Sequence, residues 1–181
     1  MNNGSIYTHI QNNIATIEFF HPASNSFPSE LLQRLTKTFE ELSINSEVKV
    51  IVLKSEKEDA FCAGASFDEL MSITNFEDGK QFFLGFANVI NAMRKCTKLI
   101  IGRVQGKVVG GGVGLAAACD YCLATEQASI KLSELTIGIG PFVIEPAVTR
   151  KIGLSAMSQL SLEASTFFSA QWAHDKGLYM K

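Results

Sequence analysis

The sequence predicts an α/β fold, and three observations carry that prediction. Strand-length apolar runs alternate along the chain with segments whose apolar residues recur at helical spacing. Small residues cluster at two places where a strand-like run has just ended, Ala63 to Ala65 and Gly110 to Gly112. No repeat, linker or low-complexity tract interrupts the 181 residues. The chain therefore reads as a single domain over 1–181, long enough to bury roughly 70% of the surface its unfolded form exposes. Such alternation implies right-handed crossovers, with ligands gathering beyond the carboxyl ends of the strands.

In order, Ser5 to Gln11 and Ala15 to Phe20 read as strands joined by Asn12-Asn13, a β-hairpin signal, and His21-Pro22 ends the hairpin. From Pro28, tolerated in a first turn, Leu31, Leu32, Leu35, Phe39 and Leu42 repeat at helical spacing. Val48 to Lys54 is a continuous apolar run of strand length, which completes a first strand-helix-strand crossover. Ser66 is placed to cap a short helix beginning near Phe67. A longer helix spans Phe76 to Lys95, and its stripe of Phe82, Phe83, Phe86, Ile90 and Met93 reads as core. Strands at Leu99 to Val104 and Tyr121 to Ala124 flank a small-residue helix at Val113 to Cys119. After the turn Gly138 to Pro141 the chain reads as helices at Glu145 to Ile152, Ser155 to Leu162 and Ala170 to Lys176, closed by Gly177.

The stretch Val104 to Asp120 stands apart. Gly110, Gly111, Gly112 and Gly114 open a helix that each of them weakens by roughly 1 kcal/mol relative to alanine. A helix start without side chains offers free N–H groups and the positive end of the macrodipole to an atom carrying negative charge. A dinucleotide fingerprint fits poorly, because Leu115 stands where a further glycine is required, and Gly106-Lys107-Val108 lacks the hydroxyl residue of a phosphate loop. Two bare N–H groups, one from each small-residue loop, have the makings of a bracket around one carbonyl oxygen.

Composition narrows the function classes. A formal charge of −2 with no run of five or more like charges gives no basis for nucleic-acid or membrane-surface binding. No apolar run reaches the ~18 residues of a membrane span, and Met-Asn-Asn-Gly has no signal-peptide layout, so a soluble, cytoplasmic protein is expected. Cys119 and Cys122 have C-x-x-C spacing but no second pair or histidine beside them, and with Cys62 and Cys96 they read as reduced thiols. His9, His21 and His174 are scattered, and no metal site is expected.

Ala60 to Leu70 (Ala-Phe-Cys-Ala-Gly-Ala-Ser-Phe-Asp-Glu-Leu) resembles the first oxyanion motif of the crotonase superfamily, the enoyl-CoA hydratases and isomerases. Val104 to Asp120 resembles the second, and Leu132 to Ile139 resembles the segment that carries a catalytic glutamate. The resemblance implies a crotonase-like (ClpP/crotonase) spiral of β-β-α units, with the family's C-terminal helices falling beyond Lys181. It implies that the N–H groups of Ala65 and Gly111 bind the thioester oxygen of an acyl-CoA and that Glu134 is the general acid or base. Ala63, Ser66, Phe67 and Gly110 would border the coenzyme. Coenzyme A is then part of the substrate, no separate cofactor is called for, and a homo-oligomer, a trimer or dimer of trimers, is expected. The stretch Leu132 to Gly153, with Glu145-Pro146, looks like methylglutaconyl-CoA hydratase-like members.

Two positions depart from the family. Hydratases usually carry another glutamate two residues after the third glycine, where this chain has Gly114, and Glu145 reads as a helix N-terminal acid. The first motif has Ser66 and Asp68 where aspartate and lysine are frequent. A non-catalytic acyl-CoA-binding or assembly module with the same fold is the rival expectation.

Overall fold

The structure is a computed structural model that describes residues 4–56 and 59–181. Residues 1–3, part of the stretch read above as lacking a signal-peptide layout, lie outside the described residues, as do residues 57–58.

The chain opens with the hairpin β1 (Ser5–Gln11) and β2 (Ile14–Phe20), antiparallel in register Gln11 to Ile14. Its two-residue turn takes positive φ at both Asn12 and Asn13, the backbone that asparagine tolerates and that matches the twist of the strands. Helix α1 (Ser29–Ile44) follows, burying Leu31, Leu32, Leu35, Phe39 and Leu42, the same five residues the spacing selects. Strand β3 (Val50–Ser55) then lies parallel to β2, which makes the first crossover.

From there the chain repeats one unit. Strand β3 is followed by β4 (Ala60–Cys62), α2 (Phe67–Ser72) and α3 (Phe76–Lys95), and β5 (Leu99–Val104) by β6 (Lys107–Val109) and α4 (Gly111–Ala118). Strand β7 (Tyr121–Ala124) is followed by β8 (Ser129–Lys131), a 3-10 turn at Glu134–Ile137 and α5 (Glu145–Leu162). The first strand of each unit joins a five-stranded sheet of order β1-β2-β3-β5-β7, and the second joins a four-stranded sheet ending in β9 (Phe168–Ser169). Within the units the pairings β3 to β5 to β7 and β4 to β6 to β8 are all parallel. This is the expected spiral of β-β-α units.

Sequence and structure differ at two kinds of place. The short strands β4, β6 and β9, three residues or fewer, give no alternation to read. One of them, β6, lies between β5 and the glycine stretch, so α4 starts at Gly111 instead of Val113. The two helices expected around Gly153 form α5, broken there by a non-helical φ of 77°, and the last helix, α6, spans Ala170–Asp175. The core lies between the sheets and helices, with Ile17, Leu53, Ile100, Val104, Leu115 and Val148 fully buried.

Candidate active site

Both small-residue loops leave the carboxyl ends of strands in the four-stranded sheet. After β4 the chain passes through Ala63, Gly64 and Ala65, where Gly64 takes φ +91°. A β-carbon at Gly64 would stand 3.1 Å from Val109 O and 3.5 Å from Gly111 N, so the two loops are in contact and glycine is what lets them meet. Phe27 holds the first loop by its main chain: its N–H donates to Gly64 O at 2.7 Å and its carbonyl accepts from Ser66 N–H at 3.0 Å. Ala63 N–H is used by the fold, donating to Ser24 O at 3.2 Å. Ala65 N–H meets no acceptor among the described residues. Ser66 caps α2 as the sequence predicts, its hydroxyl accepting from Glu69 N–H at 3.3 Å, and Phe67 follows it half-exposed.

After β6, Gly110 turns the chain with φ 54° and ψ −121°, donating to Lys131 O at 3.0 Å and accepting from Val113 N–H at 2.9 Å. Gly111 begins α4, and its N–H is one of the donors a helix start leaves without an intrahelical partner. Each residue of the stretch is glycine for a separate steric reason. A β-carbon at Gly110 would stand 3.1 Å from Glu134 Oε1, one at Gly111 2.5 Å from the ring of Phe86, and one at Gly112 2.6 Å from Cys62 O. At Gly114 it would stand 2.5 Å from Ile144 Cγ2.

Glu134 reaches the site from the 3-10 turn after β8. Its Oε2 is buried and has no hydrogen-bond partner among the described residues. Burial raises its carboxyl above the ordinary 4.5, opposed by a backbone hydrogen bond. Of its apolar sequence neighbours Leu132 is buried while Leu135 and Ile137 are half-exposed, and the carboxyl lies in the lining of a cavity.

That cavity, of about 190 Å³, is lined by all seven residues selected from the sequence: Ala63, Ala65, Ser66, Phe67, Gly110, Gly111 and Glu134. Phe82, Phe83, Phe86, Pro141, Val143 and Ile144 complete an apolar wall that the sequence did not reveal. The expectation that the phenylalanine stripe is core holds for Phe86 and is corrected for Phe83, which is 38% exposed and faces the cavity beside Phe82. Their spacing marks a helix face but not the hollow it borders. Glu145 stays outside the cavity lining, its Oε1 accepting from Thr149 Oγ1 at 2.6 Å on its own helix. Among the described residues no cluster of side chains suited to a metal ion occurs, and no helix is long and apolar enough to cross a membrane.

Comparison with known proteins matches the chain to the family described as "Enoyl-CoA hydratase/isomerase" over residues 9–181. Enoyl-CoA hydratase ACTT6 of Alternaria alternata is 29% identical over 85% of this chain and 50% of its own length. The mitochondrial methylglutaconyl-CoA hydratase of Homo sapiens is 31% identical over 77% of this chain and 41% of its own length. The chain thus spans about half the length of these two curated relatives. Among solved structures, a putative enoyl-CoA hydratase/isomerase (crotonase) from Legionella pneumophila superposes with a TM-score of 0.91 at 30% identity, over 98% of this chain and 69% of that one. An enoyl-CoA hydratase from Shewanella pealeana gives 0.92 at 26%, over 99% and 68%. The fold is that of the crotonases, and the chain belongs to the enoyl-CoA hydratase/isomerase family.

Proposed function

We propose that the chain acts on an acyl-CoA thioester, with the Ala65 and Gly111 N–H groups as donors to the thioester oxygen and Glu134 as the one acid/base. The observation that carries this reading is a single arrangement: a buried carboxyl oxygen without a partner, next to Gly110, in the cavity that also holds both uncommitted donors. When a proton leaves the carbon next to a thioester, negative charge collects on the oxygen. Donors fixed beforehand, and the positive end of α4, stabilise that enolate more than the neutral thioester. One such donor is worth about 2.7–4 kcal/mol in a well-studied enzyme. The reaction so written calls for no metal or redox cofactor. A trimer or dimer of trimers, and a cytoplasmic location, belong to the same reading.

Of the two family reactions, double-bond migration fits the site better than hydration. The Glu134 carboxylate takes the proton from the carbon next to the thioester of a 3-enoyl-CoA. The dienolate forms on the oxygen, and the Glu134 carboxyl, whose proton exchanges with solvent, delivers a proton to the far carbon of the former double bond, leaving a 2-enoyl-CoA. One carboxylate suffices. Hydration in this family usually has a second carboxylate to hold water, and the space beside Gly114 is filled by the apolar Ile144. Incubation with 3-enoyl-CoA and, separately, 2-enoyl-CoA tests the choice. Conversion of the first without 3-hydroxyacyl-CoA from the second is expected; 3-hydroxyacyl-CoA as the main product overturns it.

A further inference from the structure

We propose that Glu69 is a positioning residue for the Ala65 donor, acting through a clasp on the first turn of α1. The proposal rests on the functional reading above. Helix α1 begins after Pro28, whose side chain makes no capping hydrogen bond, so the Ser29 N–H belongs to the orphan donors of a helix start. A carboxylate 40 residues later takes it. Ser29 N–H donates to Glu69 Oε2 at 2.9 Å and to Oε1 at 3.1 Å, and the Ser29 hydroxyl donates to Oε2 at 2.7 Å.

This clasp matters because α2 has little else to hold it. The helix is six residues long and buries none of them, so neither its own length nor core packing keeps it in place. Hydrogen bonds do: Glu69 on Ser29, and Ser66 on Glu69 N–H. Two residues before Ser29, Phe27 grips Gly64 and Ser66 by its main chain. Ala65 lies inside this clamp, fixed on both sides, with its own N–H left over.

The same segment reaches the other donor. The buried Phe27 ring packs edge-on against Phe86 at a centroid distance of 6.1 Å, and the Phe86 ring fills the space over Gly111. Phe27 therefore reaches both halves of the site, by main chain at Gly64 and Ser66 on either side of Ala65, and at Gly111 through the Phe86 ring. A carboxylate accepting from an N–H at a helix start forms charge-assisted bonds, stronger and shorter than neutral ones. Losing them releases the carboxyl-side anchor of the Ala65 loop and lets the donor swing off the thioester oxygen.

The test is the infrared carbonyl band of an enoyl-CoA labelled with carbon-13 at the thioester, bound to wild type, Glu69→Gln, Glu69→Ala and Ser29→Ala, with kcat, KM and unfolding temperature measured alongside. A thioester held by both donors absorbs at lower frequency than the free one. Glu69→Ala is expected to move the band back toward the free position and lower kcat about tenfold to a hundredfold, with much less change in KM. Glu69→Gln, which keeps an acceptor of the same size, recovers most of both readouts, and Ser29→Ala, which keeps the N–H bonds, stays nearest wild type. Should Glu69→Ala fail to fold, the order wild type, Ser29→Ala, Glu69→Gln in band and kcat carries the test. A lower unfolding temperature with band and kcat unmoved assigns Glu69 a merely structural role and overturns the proposal. Failure of the functional reading looks different: wild type itself leaves the band at the free position, and the proposal falls with it.

Discussion

Ile144 occupies the place that a β-carbon at residue 114 would take: such an atom would stand 2.5 Å from Ile144 Cγ2 and 2.9 Å from its Cβ. The missing side chain of α4 and the apolar residue before α5 fit each other. The relationship bears on both stability and chemistry, since it fills with hydrocarbon the position where family hydratases usually hold a second carboxylate.

Gly114→Ala is expected to destabilise the fold by about 1–3 kcal/mol through overpacking, and Ile144→Ala by about 2–5 kcal/mol through the cavity it leaves. The double variant should lose less than the sum, because each change makes room for the other. Chemical denaturation of the three variants checks this, and strict additivity contradicts the contact.

Glu134 carries a stability cost whose sign follows from its burial. A carboxyl raised above its ordinary 4.5 in the folded state favours folding only while protonated. That contribution is full below the unfolded value and is lost as pH rises through the raised one. Glu134→Gln, neutral throughout, should match wild type near about pH 4 and unfold at a higher temperature than wild type near about pH 7. Calorimetry at the two pH values reads the difference, and equal unfolding temperatures at neutral pH would contradict the burial argument.

Gly111 and Phe86 form a second steric pair, with the ring 2.5 Å from the absent β-carbon. Gly111→Ala must displace either the ring or the donor N–H, so kcat should fall more than KM rises. Adding Phe86→Leu should restore part of kcat. A Gly111→Ala enzyme with unchanged kcat shows that the amide at 111 is not a donor to the reacting oxygen.

Three of the four cysteines are sealed. Burial pushes the Cys62 and Cys122 thiols up to about 12 and the Cys119 thiol well above its ordinary range, while Cys96 is half-buried at the end of α3. A thiol reagent that needs the thiolate should modify Cys96 alone in the folded protein and all four in denaturant. Fast modification of Cys119 or Cys122 would show that this part of the core opens readily.

How much of this was legible in the sequence depended on distance along the chain. The hairpin turn, the buried face of α1 and both ends of α3 follow from local pattern, and Ala65, Gly111 and Glu134 each lie inside a contiguous motif. Strands β4 and β6 did not show, because three residues contain no period. The fit of Ile144 to Gly114 and the grip of Glu69 on Ser29 join residues 30 and 40 positions apart, and only the spiral brings them together. Periodicity placed Phe82 and Phe83 on one helix face, but the cavity they face is made by loops from other units.

The central claim, that Glu134 moves a proton at the carbon next to a thioester oxygen held by Ala65 and Gly111, is tested most directly by hydrogen exchange. Incubated in heavy water with an acyl-CoA, the wild-type chain is expected to place deuterium on that carbon, and Glu134→Gln is expected to place none while still binding the thioester. Acyl-CoA binding without exchange by either protein would contradict the claim and identify a non-catalytic binding module of the same fold.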